Sequence, residues 1–157
     1  MPIRTEGSVV IQCPIYEVFE YTNHNVADWS TTVVESELLE SAEHQGVGTR
    51  FRCVTVSQGN RMEFDGTVMK WDPPTMSAIE LIGRQFDIRA VYTFEDLGRE
   101  TRVTQASAVH PKGLLGKLIF LVMRPIIRRS GCDGVQKELE SLKQKLEQRS
   151  FADATHE

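Results

Sequence analysis

Phe86-Asp87-Ile88-Arg89-Ala90-Val91-Tyr92-Thr93-Phe94-Glu95 is the stretch on which the fold turns. Phe86, Ile88, Ala90, Tyr92 and Phe94 recur at every second position, while Asp87, Arg89, Thr93 and Glu95 stand between them. Successive side chains of a strand point to opposite faces, so this pattern predicts a strand with one wet side and one buried side. Met62, Phe64, Gly66 and Val68 alternate with Arg61, Glu63, Asp65 and Thr67 in the same way. Two such strands predict an antiparallel sheet packed on one face only.

Turn chemistry at Glu43-His44-Gln45-Gly46, Gln58-Gly59-Asn60, Asp72-Pro73-Pro74, Gly83-Arg84-Gln85 and Leu97-Gly98-Arg99 divides residues 32–110 into six strands without helical segments between them, the mark of a meander. Gly59-Asn60 predicts a tight hairpin loop, because both positions tolerate a positive φ. Upstream, the β-branched run Ser8 to Cys13 stops at Pro14, which suits the first turn of a helix. Ile15, Val18, Phe19 and Thr22 then follow helical spacing, and a second short helix is expected after Asn25, with Asn25 and Asp28 as candidate caps.

Downstream, Val135, Leu139, Leu142 and Leu146 lay one apolar stripe along a long helix. Pro125, Gly131 and Gly134, with Ser130 and Asp133 as a capping pair, predict a kink or break ahead of that stripe. The fold class is therefore α+β: a curved seven-stranded antiparallel sheet wrapped around a long C-terminal helix, with two short helices after the first strand. Residues 1–149 form a single domain, and residues 150–157 are expected to be a disordered tail.

Composition narrows the function classes. A formal charge of −4 gives no basic excess for phosphate backbones, so nucleic acid is not an expected partner. Arg124, Arg128 and Arg129 form the one basic cluster, read as a solvated helix face rather than an anion or headgroup site. Cys13, Cys53 and Cys132 lack metal-ligand spacing and any Cys-x-x-Cys partner, so they read as small buried hydrophobes, and neither a metal nor a cofactor is expected. No secretion-type apolar stretch precedes Ser8, and the run Leu114 to Ile127 is shorter than the ~20 residues of a spanning helix. Location in the cytoplasm, no integral membrane segment, and a monomer or homodimer are the corresponding expectations.

A curved sheet closing on one helix leaves concave apolar space, where small ligands bind. Four segments then carry a resemblance: Cys13-Pro14-Ile15-Tyr16-Glu17-Val18-Phe19-Glu20-Tyr21, Gly46-Val47-Gly48-Thr49-Arg50-Phe51, Trp71-Asp72-Pro73-Pro74, and Tyr92-Thr93-Phe94-Glu95-Asp96 leading to Thr101-Arg102-Val103-Thr104. Their order resembles the helix-grip fold of the START and Bet v 1-like (SRPBCC) superfamily, and more narrowly its polyketide cyclase/dehydrase and lipid-transport group. The resemblance implies architecture and a cavity; it transfers no catalytic set.

Trp29, Phe51, Phe64, Val68, Ile88, Tyr92, Leu118, Leu121 and Val122 are the candidate ligand-lining residues, chosen for bulk and facing. Each also reads as plain core, and Trp29 stands either as a gate or as a core plug. Tyr92 and His110 are the candidate acid/base pair, against the readings of a locally satisfied core tyrosine and a solvated turn histidine. Glu63 with Asp65, and Asp87 with Arg89, read as solvated outer-face charges. The leading function is binding or transport of a small hydrophobic molecule, whether lipid-like, polyketide or aromatic. The alternatives are a cyclase/dehydratase acting in the same cavity and a partner-binding module using Leu114 to Ile127.

Overall fold

Seven antiparallel strands form one sheet: β1 (Ile3–Ile11), β2 (Val33–Glu40), β3 (Arg50–Ser57), β4 (Asn60–Asp72), β5 (Met76–Ile82), β6 (Phe86–Asp96) and β7 (Thr101–Pro111). Their spatial order is β1-β7-β6-β5-β4-β3-β2, a meander from β2 to β7 closed by the first strand. Helices α1 (Ile15–His24) and α2 (Val26–Trp29) link β1 to β2, and α3 (Gly113–Thr155) ends the chain. This computed structural model describes residues 3–40, 46–57 and 59–155, without the side chains of 40, 57, 115, 119, 123, 124, 126–132 and 150–155. The turn expected at 43–45, the side chains of Arg124, Arg128 and Arg129, and that of Cys132 lie outside the described residues and side chains.

The strand count and both alternations match the pattern. On β6, Ala90, Tyr92 and Phe94 are buried while Arg89 and Thr93 are exposed, and on β4 Phe64, Gly66 and Val68 are buried between exposed charges. Gly59 takes a φ of 81° in the β3–β4 turn, but Asn60 already belongs to the ladder opposite Ser57. The main core joins Ile15, Val18 and Phe19 of α1, Trp29, Phe94, Val103 and the Leu139, Leu142 and Leu146 stripe of α3. Phe19 meets Trp71 and Phe94 edge to face, with ring centroids 5.0 and 5.1 Å away.

β1 is an edge strand, and α3 covers its open side. Gln136 Nε2 donates to the Ser8 carbonyl (3.1 Å), Lys143 Nζ to the Val10 carbonyl (2.8 Å), and the Gln12 N–H to Glu147 Oε1 (3.0 Å). Unpaired edge groups are thus satisfied by side chains instead of a further strand. Gly7 permits the approach, since a Cβ there would sit 2.9 Å from Val135 Cγ1.

Several expectations are corrected. α3 is continuous from Gly113 through Pro125 to Thr155, so Ser130 and Asp133 cap no new helix and the stretch from 150 to 155 is helical rather than a tail. Asn25 stands at the start of α2 but its side chain makes no cap bond, and Asp28 instead accepts a hydrogen bond from the Tyr21 hydroxyl. Asp87 and Arg89 do lie on the outer face, but each pairs elsewhere: Arg89 Nε meets Glu80 across on β5 at 2.7 Å, and Lys112 Nζ, just past β7, meets Asp87 at 3.0 Å. Partners opposite each other on neighbouring strands lie closer than positions two apart on one strand.

Candidate functional site

The ladder sets side chains of the concave face in rows. One row runs Gln105, Tyr92 and Ser77 across β7, β6 and β5; the next holds Ser107, Ala90, Ile79 and Val68; a third holds Val109, Ile88, Leu81, Gly66 and Phe51. Glycine is needed at 66 because the Phe51 ring lies over it, 2.3 Å from where a Cβ would stand. A second apolar cluster, Cys53, Phe64 and Leu81, is flanked by Val33, Phe51, Met62, Ile79 and Ile88, which are only partly covered. This half of the face is an apolar floor with incomplete cover.

Polar atoms lie on the same concave face. Thr55 Oγ1 and Gln105 Oε1 are buried with no hydrogen-bond partner among the described residues, although Gln105 Nε2 reaches Ser107 Oγ at 3.3 Å. Tyr92 is buried as well, and its phenol is pushed far above its ordinary range, first by burial and then by the nearby Glu138 carboxylate and Cys53. It keeps its proton at neutral pH and is a donor, not a base. Burial likewise pushes the Cys53 thiol up to about 11, which leaves it un-ionised and poorly nucleophilic.

Glu138 closes one end of this space. Its carboxylate accepts from Ser30 Oγ (2.6 Å), the Thr31 N–H (2.8 Å), the Thr31 hydroxyl and Thr32 Oγ1 (3.3 Å), fastening the α2–β2 connection to α3. At the other end the sheet is notched. Ile82 of β5 pairs with Asp65, so Asn60 to Phe64 of β4 run beyond their neighbour. An open cleft of about 1140 Å³ fills the notch, walled by Met62 and Phe64 on one side and Ile82, Gly83 and Phe86 on the other, with Arg52, Arg61, Glu63 and Asp65 at its rim.

The candidate residues divide accordingly. Phe51, Phe64, Val68, Ile88 and Tyr92 share the concave face, and of these Phe64 also walls the cleft. Trp29 is a core plug, 1% exposed, with Nε1 donating to the Thr22 carbonyl at 3.1 Å. Leu118, Leu121 and Val122 are exposed, because α3 faces the sheet there through buried Phe120, whose ring lies 6.3 Å from that of Phe86. His110 pairs with Asp87 on the outer face while its neighbour Val109 points inward with Ile88, so Tyr92 and His110 share no site. Period two places Gln105 two positions beyond Val103 and Thr55 two beyond Cys53 on the same face, but a polar side chain carries no apolar signal that marks it as lining.

A family model described as polyketide cyclase / dehydrase and lipid transport matches residues 2–147. Among solved structures the chain is similar to the Zhui aromatase/cyclase from Streptomyces sp. R1128, at 14% identity over 96% of each chain with a TM-score of 0.76. It is also similar to a START superfamily protein from Mycobacterium smegmatis, at 15% identity over 92% of this chain and 97% of that one, TM-score 0.75. A third likeness is the major latex-like protein 151 of Panax ginseng, at 15% identity over 90% and 95%, TM-score 0.61. No functionally curated protein matches. These likenesses establish the helix-grip fold.

Proposed function

Because the chain belongs to the polyketide cyclase / dehydrase and lipid transport family, a hydrophobic ligand-binding fold, we propose that it carries a small hydrophobic molecule on the concave face between the second apolar cluster and α3. The observation that supports this reading is a partly covered apolar floor that shares its face with two buried polar atoms unpartnered among the described residues, Thr55 Oγ1 beside Cys53 and Gln105 Oε1 in the row of Tyr92 and Ser77. A buried polar atom left without a partner costs roughly 1–3 kcal/mol, so the face favours a guest that hydrogen-bonds to the Thr55 hydroxyl and the Gln105 amide oxygen. The ligand is then a lipid-like, polyketide or aromatic body bearing at least one hydroxyl.

Carriage fits the polar groups better than cyclisation. Tyr92 and Cys53 both hold their protons, His110 lies on the other face, and the Glu138 carboxylate is occupied by residues 30–32. A cyclase needs a base within reach of the reacting carbon. None of these groups supplies one.

Thermal unfolding with a set of fused-ring phenols and their unhydroxylated parents tests the reading, alongside native mass spectrometry of the protein as purified. Phenols at a hundredfold excess over Kd are expected to raise Tm by about 5–10 °C. The parents should do less, and Gln105→Leu with Thr55→Val should erase the difference. No shift with any compound and no copurified mass would refute carriage.

A further inference from the structure

The first half of α3 carries more apolar surface than the fold uses. Leu114, Leu118, Leu121 and Val122 are 89%, 60%, 67% and 73% exposed, and Pro125 is exposed too. At 100° per residue these positions fall on one side of the helix. Phe120 lies towards the opposite side, packed on Phe86, and a Cβ at Gly116 would stand 3.6 Å from the Gln85 carbonyl. The helix is therefore held to the sheet through one side and turns a continuous apolar stripe away from it. Scattered exposed leucines need no account, but a contiguous stripe marks a contact surface.

Charge selects the partner. From Thr101 to Cys132 the chain has no Asp or Glu, whereas Lys117, Arg124, Arg128 and Arg129 all fall within this half of α3, in a protein whose formal charge is −4. An apolar helical face within a purely cationic segment suits the boundary layer of an anionic bilayer, where leucines enter the acyl region and cations meet phosphates. A second copy of the chain would set the same positive charge against itself. We propose that the exposed stripe Leu114, Leu118, Leu121, Val122 and Pro125, with Lys117 beside it, forms a peripheral docking surface for an anionic lipid bilayer. Gln85 and Phe86 lie both beneath this helix and in the cleft wall, so docking brings the cleft to the membrane.

Flotation of the full chain with vesicles tests this independently of any cavity ligand. Vesicles of phosphatidylglycerol mixed with phosphatidylcholine are expected to bind the protein, more weakly as salt rises, and pure phosphatidylcholine to bind little. The double variant Leu118→Glu, Leu121→Glu should lose roughly tenfold or more in partitioning. Lys117→Gln should lose about fivefold, and both variants should keep the wild-type Tm, since the altered side chains are exposed. Failure to bind the anionic vesicles, equal binding to both kinds, or wild-type binding by the variants would overturn the proposal. So would light scattering that finds a stable dimer dissociated by the same double variant.

Discussion

Glu138 ties three consecutive residues of the α2–β2 connection to the long helix through one carboxylate. Glu138→Ala should lower stability in urea unfolding by about 2–3 kcal/mol, and Glu138→Gln by less, since the amide oxygen still accepts. Tyr21 and Tyr92 predict a different signature. The Tyr21 phenol is pushed up to about 12, by burial first and then by its hydrogen bond to Asp28, and Tyr92 is raised as well. A phenol that holds its proton more tightly folded than unfolded contributes stability that is complete below pH 10 and is lost as pH climbs through 10 to about 12. Urea midpoints should fall across that window, and Tyr92→Phe should make the fall shallower. Tyr92 was legible from strand alternation, which alone assigns its face. Glu138 was not, because beside Val135, Leu139 and Leu142 a glutamate reads as solvated until the chain brings Thr31 across from 107 positions away.

The two halves of α3 differ in what they hold. Leu139 and Leu142 are fully buried, so Leu139→Ala or Leu142→Ala should cost about 2–5 kcal/mol, whereas Leu121→Ala should stay within about 0.5 kcal/mol in the same unfolding assay. The strands make a matching test at Gly83, where a Cβ would stand 2.6 Å from the Phe64 ring and 2.7 Å from the Phe86 carbonyl. Gly83→Ala should destabilise by about 1–3 kcal/mol and perturb the cleft wall. The helix stripe and the strand alternation were readable because each is a local period. The helix running through Pro125 was not, since a proline removes one bond of the ladder while packing on both flanks, Phe120 on Phe86 and Val135 on β1, sets whether the rest persists.

Across the whole molecule, charge contributes little to cohesion. Arg52, Arg61, Glu35 and Glu63 form a cross-strand lattice on the outer face, with side chains a third to three-fifths exposed. Raising salt to about 1 M should change the unfolding free energy by less than about 1 kcal/mol. Strand number and the meander could be read from spaced turns, but the notch that opens the cleft could not, because it arises from unequal strand lengths in register. Ile3 pairs with Val109, and β1 then needs α3 across its far side. During synthesis the meander from β2 to β7 is available to zip hairpin by hairpin, while the first strand made is the last to find its place. Translation-arrested chains ending before 101 should thus stay protease-sensitive at β1, and protection should arrive in one late step.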